Sequence, residues 1–254
     1  MSKSMKRFFI EIAYKGTNYA GFQIQKNANS IQSEVEKALK TFFKEEFTLT
    51  CSSRTDAGVH ALKNYFHFDS SSAIPGDEEL IKIVYNLNAI LPRDIVIRKI
   101  FNVASDLHAR FSAKSRLYHY YIYNHKDPFK EDRAYYYPYH LDIDKLNEAA
   151  SLIKEQKDFT SFSKRNTQVK SFFCNIYSSK WAIENGVLKY EVEGDRFLRG
   201  MVRGLVGTML KVGKQKILLQ QFRQIVDSND CSLADFSVPA HGLFLMDVKY
   251  PDVY

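Results

Sequence analysis

Over the first hundred residues the apolar period switches from two to 3.6 and back, twice, and that order leaves few folds open. Residues 7–14 alternate loosely as a strand, stopped at Lys15-Gly16. Over 30–43, Ile31, Val35, Ala38, Leu39 and Phe42 share one helical face, with Asn29 or Ser30 placed to cap it. Residues 47–51 and 64–68 read as strands on either side of a loop at 52–60, the second blurred by aromatics. A helix over 78–90, stopped by Pro92, and a strand over 95–103 follow. Strand, helix, strand, strand, helix, strand is the split βαβ order of a ferredoxin-like unit.

The second half repeats the theme without a visible sequence repeat. A strand over 115–124 precedes a helix over 141–154 capped by Asp142. Residues 172–183 and 187–193 form a hairpin across Asn185-Gly186, a dipeptide suited to a tight turn with positive φ. Helices over 199–212, ending at Gly213, and 218–227 lead to a closing strand over 243–250, while 124–140 reads as a loop or extension. The expected fold class is therefore α+β with mostly antiparallel sheets, in two ferredoxin-like βαββαβ halves. They span 1–104 and 105–254, with a joint near 105–113.

Composition narrows the function. Of 254 residues, 45% are hydrophobic, enough for a core that needs no disulfide or structural metal. No apolar run approaches the ~18–20 residues of a membrane span, and no secretory apolar stretch precedes Glu11. Cys51, Cys174 and Cys231 lie far apart, outside any zinc spacing, which fits a reducing cytoplasm. The formal net charge of +7 suggests an acidic partner such as nucleic acid. Arg110, Lys114 and Arg116 run into Tyr118, Tyr120, Tyr121 and Tyr123, and Tyr135, Tyr136, Tyr137 and Tyr139 follow. Cations among aromatics suit RNA, where bases stack on rings and phosphates meet charge. Tyrosine also favours strands, so most of these rings are expected simply to cover a sheet.

Few residues offer chemistry. Asp56 sits in an inter-strand loop beside Arg54, with Gly58 two residues on. A carboxylate near arginine stays ionised and suits a nucleophile or base, although Asp in a turn is equally ordinary turn chemistry. Gly200, Gly204 and Gly207 share one face of the helix over 199–212, a pattern expected for close helix–sheet packing rather than a phosphate loop. Arg199 and Arg203, one turn apart among apolar neighbours, call for partners; a carboxylate such as Asp56 is a candidate for Arg203. None of the seven histidines has a zinc spacing, and there is no GxSxG, so the histidines are expected to be structural.

Six ordered blocks go further: YKGTNYAGFQIQ (14–25), SRTDAGVHA (53–61), LHARFSAKSRLYHYYIYN (107–124), DFTSFS (158–163), FLRGMVRGLVGTMLKVG (197–213) and GLFLMDVKYP (242–251). Together they resemble the tRNA pseudouridine synthase A family over nearly the whole chain. By this resemblance Asp56 is the catalytic aspartate, Tyr118 stacks on the target base, and Arg203 pairs with the aspartate. Arg54 reaches into the RNA beside the flipped nucleotide, and Leu243 forms the apolar floor of the pocket. Ser53 stands where the family usually has glycine, and Asp195 where it usually has asparagine.

The resemblance implies a pseudouridine synthase-like fold with a catalytic cleft between the halves. It implies a homodimer with a basic cleft, acting on uridines 38, 39 and 40 of the tRNA anticodon stem-loop. The reaction breaks N1–C1′, turns the base and joins C5 to C1′, so no cofactor or metal is expected. An ionised carboxylate, an aromatic face and exclusion of water are what it requires. Two other readings are a non-catalytic tRNA-binding or RNA-folding protein and an aspartate-dependent hydrolase resting on Asp56 alone. Lys164, Arg165, Lys170, Lys211, Lys214 and Lys216 are further candidates for RNA contact.

Overall fold

The computed structural model describes residues 5–70, 77–165 and 169–251. The chain is a mixed α/β protein that divides into two compact units, Met1–Lys114 with Leu245–Tyr254, and Ser115–Phe244. The closing strand thus falls largely in the first unit, whereas the sequence grouped it with the second half. Just past its end, the Tyr250 ring packs 5.2 Å from both Phe9 and Tyr65, a long-range contact that no local pattern announces.

In the first unit β1 (Lys6–Tyr14) lies between β3 (His60–Ser70) and β4 (Ile95–Val103), antiparallel to both. β2 (Thr50–Cys51) pairs antiparallel with β3, and β9 (Leu243–Lys249) is also a neighbour of β3. Phe8 to Tyr14 are all buried, because both faces of the sheet are covered. On one face Phe8, Phe66 and Phe68 meet Phe22 and Phe47. On the other Phe9 meets Tyr65, His67, Phe101 and Tyr250. Two covered faces erase the period of two, so β3 is longer than the expected 64–68. β2 is shorter than 47–51.

α1 (Ile31–Phe43) starts as its sequence dictates: the Ser30 hydroxyl accepts from Ser33 N at 3.2 Å, and Ser33 Oγ accepts from Ser30 N at 3.1 Å. Its Ile31, Val35, Ala38 and Leu39 are buried. α2 (Asp77–Ile90) is tied to β4 by Asn88, whose amide exchanges two 2.8 Å hydrogen bonds with the Ile97 main chain.

In the second unit β8 (Val187–Gly194) lies between β5 (Ser115–Tyr123) and β7 (Ile176–Glu184), antiparallel to both. Asn185 (φ 51°) and Gly186 (φ 73°) make the expected tight turn. Within the span expected as loop or extension, β6 (Tyr135–Tyr136) adds a short parallel pairing to β5. α3 (Ile143–Glu155) is capped by Asp142, which accepts from Lys145 N at 3.1 Å, and Asn147 grips the Trp181 main chain as Asn88 grips Ile97. α4 (Met201–Gly213) is buried almost all round, and α5 (Leu219–Asp227) buries Phe222 and Val226. Among the described residues no helix is long and apolar enough to cross a membrane.

Candidate active site

Asp56 lies on the loop from β2 to β3, and the loop is held from beneath. Asn64, wholly buried, accepts from Ser52 Oγ at 2.6 Å and donates to Ser53 O at 2.9 Å and to Tyr14 Oη at 3.2 Å. Tyr14 Oη is in turn 2.8 Å from Thr55 Oγ1. The main chain adds Phe22 N to Thr55 O and Val59 N to Asp56 O, both at 3.1 Å. Gly58 (φ 79°) makes the turn after Asp56. Gly21 (φ 108°) lets a neighbouring loop approach so closely that a Cβ there would sit 3.1 Å from Thr55 O and 3.3 Å from Ala57 N. Buried hydrogen bonds of this kind are costly to break, so the loop is rigid where it carries its functional group.

On this frame Asp56 is half-buried and Arg54 is exposed. Burial pushes the Cys51 thiol above its ordinary pKa, against the opposing charge of Arg54. Ser53, the first departure from the family pattern, has a buried hydroxyl with no hydrogen-bond partner among the described residues.

Tyr118, Arg203 and Leu243 belong to the second unit. Tyr118 on β5 is 8% exposed, and the Phe197 ring stands edge-on to it at 5.1 Å. Arg203, half-buried on α4, donates through Nε to Val238 O at 2.9 Å and through Nη2 to Phe236 O at 3.3 Å. Within its own unit its partners are thus main-chain carbonyls. The same segment is held by Tyr120, whose hydroxyl donates to Pro239 O at 2.8 Å. Leu243, 7% exposed, opens β9 directly after this anchored stretch.

Two of the glycines on α4, Gly204 and Gly207, serve that segment. Gly200 is the left-handed N-cap. A Cβ on Gly204 would lie 2.7 Å from the Phe236 ring, and one on Gly207 would lie 2.2 Å from Asp235 O. The close approach expected from their spacing is present, but its partner is the irregular chain at 235–238 rather than a sheet. Asp195, the second departure, is absorbed locally: its carboxylate accepts from Asn175 N and Nδ2, both at 2.8 Å.

Of the clustered tyrosines, Tyr118, Tyr120 and Tyr123 are buried, Tyr121, Tyr135 and Tyr137 are half-buried, and Tyr136 and Tyr139 are exposed. Of the candidate RNA-contacting cations, Lys211 pairs with Asp235 at 3.3 Å, Arg165 lies 3.8 Å from Asp230, and Lys214 sits 3.2 Å from the Tyr139 ring centre. His60 accepts from Gly16 N at 3.1 Å, and His67 and His108 are main-chain acceptors too. Among the described residues no group of three or more His, Cys, Asp or Glu could hold a metal ion. Sequence reading missed Tyr14, Gly21 and Asn64 as supports of the Asp56 loop; the first two lay inside a block already singled out.

Comparison with known proteins follows the same residues. The model of a family described as tRNA pseudouridine synthase matches residues 11–119 and 149–251. A tRNA pseudouridine synthase A of Porphyromonas gingivalis is 45% identical over 249 residues, covering 97% of this chain and 98% of that one. One from Bacteroides fragilis is 44% identical over 251 residues, covering 98% of each. One from Parabacteroides distasonis is 42% identical over 248 residues, covering 98% of this chain and 97% of that one.

Proposed function

The chain belongs to the tRNA pseudouridine synthase family, and we propose that it isomerises uridine to pseudouridine in the anticodon stem-loop of tRNA with Asp56 as its catalytic carboxylate. The observation that carries the reading is that all five candidate residues, Arg54, Asp56, Tyr118, Arg203 and Leu243, fall within the matched stretches. The rigid seat of the Asp56 loop supports it, because a carboxylate acting on a sugar or base must be aimed. In the first unit β1 lies between β4 and β3, and β2 pairs with β3, which β9 also adjoins; the β4-β1-β3 order with β2 on β3 supports the ferredoxin-like reading of that half.

The reaction conserves every atom: N1–C1′ breaks, the uracil turns, C5 bonds to C1′, and the hydrogen leaving C5 is balanced by one gained at N1. Asp56 attacks C1′, adds to the base or takes a sugar proton; each role needs it ionised. Arg203 is assigned to pair with that charge, which would otherwise be disfavoured once water is excluded. Tyr118 is assigned to hold the loosened uracil by stacking, and Leu243 to floor its pocket. A stem nucleotide must leave its stack at a cost of a few kcal/mol, and Arg54, exposed on the same rigid loop, is assigned to fill the gap. Homodimerisation and a basic RNA-binding surface complete the proposal.

The test is tritium release from tRNA labelled at C5 of uridine, with no cofactor added. Release matching pseudouridine formation is expected, and transcripts with cytidine at positions 38, 39 and 40 should release nothing. Absence of release from tRNAs that bind would overturn the reading.

A further inference from the structure

Phe111 is left without a role by the reaction, yet its ring is 76% exposed on one of the best-fixed turns of the first unit. His108 Nδ1 accepts from both Arg110 N (3.1 Å) and Phe111 N (3.3 Å). The turn is closed by Ser112 N to His108 O and His108 N to Ser112 Oγ, each at 2.9 Å. Behind it Ala109, wholly buried, donates to His67 Nδ1 at 3.1 Å and accepts from Tyr250 Oη at 2.5 Å. A fixed main chain does not need an exposed phenyl group, because a polar side chain would fit the same turn without leaving apolar surface in water.

The ring has a defined setting. The His108 imidazole lies 4.4 Å from it, and the exposed Arg110 guanidinium 5.6 Å from its centre. Ala109 of this turn bonds His67, which pairs across the sheet with Thr50 on β2, the strand that leads into the Asp56 loop.

We propose that Phe111 is a stacking platform for an unpaired base of the tRNA substrate, with Arg110 meeting the adjoining phosphate. The inference rests on the tRNA reading above and adds a substrate-positioning surface to it. An exposed ring beside a cation matches a nucleotide, with a π-face for the base and a charge for the phosphate. A second copy of this chain would bring the same positive charge to the same place, in a protein already at +7, so RNA is the better occupant.

The test uses the full chain and measures, on the same preparations, the Kd for unmodified tRNA, the KM and kcat of tritium release, and the mass in solution. Phe111→Ala should raise Kd and KM about five- to a hundredfold, the range of one lost base–aromatic stack, with kcat within about twofold. Phe111→Trp should bind like the parent and Phe111→Leu should not, which separates stacking from mere apolarity. Arg110→Gln should weaken binding several-fold and reduce the salt dependence by about one phosphate contact. Unchanged Kd in Phe111→Ala, or full binding by Phe111→Leu, overturns the proposal, as does a loss of binding that tracks a change in oligomeric mass. A parent protein that binds tRNA but releases no tritium overturns the reading of function instead, and the Kd series still decides the role of Phe111.

Discussion

The loop that carries Asp56 and the segment that leads into Leu243 are both irregular chain, and they are fixed by opposite means. Loop 52–59 rests on side-chain hydrogen bonds, Ser52 to Asn64 to Tyr14 to Thr55, each group buried. Segment 235–242 rests on missing side chains: Gly204, Gly207 and Gly242 admit Phe236, the Asp235 main chain and the Tyr120 ring to distances no Cβ would allow. Arg203 and Tyr120 then fasten its carbonyls. A hydrogen-bond network fails when an atom is removed, and a close approach fails when one is added. The comparison therefore predicts opposite sensitivities in the two regions.

The largest effect belongs to added volume. Gly207→Val should force α4 away from Asp235 and destabilise the protein by about 3 kcal/mol or more, at the upper end of overpacking; melting temperature and kcat/KM should fall together. An ordinary melting curve for this variant would break the comparison. Asn64→Ala deletes the hub of the other network and leaves buried partners unsatisfied, for a loss of about 2–3 kcal/mol. Its denaturant midpoint should drop, and hydrogen exchange should rise in 52–59 but not in 235–242.

Acid should break a third hydrogen-bonded contact, outside both regions, before the glycine-packed segment yields. Burial, with Arg7 and His108 adding to it against Asp69, pushes the His67 pKa down from 6.5 to about 4. The unfolded chain then takes up the proton first, so this stabilisation is full above about pH 6.5 and declines as pH falls toward 4. By pH 5 about 2 kcal/mol should be gone. His67 accepts from Ala109 N, so exchange protection should fail first around residue 109 while the glycine contacts of 235–242 persist. Retained protection at Ala109 through pH 5 would contradict this. Smallest is Tyr14→Phe, which removes one hydroxyl shared by Asn64 and Thr55 and should cost about 1 kcal/mol, read as a small shift in denaturant midpoint.

The same contrast explains what the sequence disclosed. α1 and the β7–β8 hairpin were legible because their signals are local: Ser30 as cap, Asn185-Gly186 as turn. The ends of β2 and β3 were not, because aromatic residues on both covered faces remove the alternation that marks a strand. The glycine spacing on α4 revealed a close approach, but its partner lies nearly thirty residues further along an irregular stretch. Asp56 stood out only through its surrounding motif; as a lone aspartate in a turn it is ordinary. Its supports were hidden, since Tyr14 and Asn64 are fifty positions apart and share no period. Phe111 shares its sequence block with Tyr118, Tyr120 and Tyr123, whose rings are buried, and no period in the sequence separates the exposed ring from the buried ones.

The most direct test of the central claim is single-turnover tritium release by Asp56→Asn, with tRNA binding measured on the same sample. Asparagine keeps the size of the side chain and removes its charge. The account predicts tRNA binding within a few-fold of the parent and release reduced to background. Release at a rate near that of the parent would show that the carboxylate on this rigid loop does not drive the isomerisation.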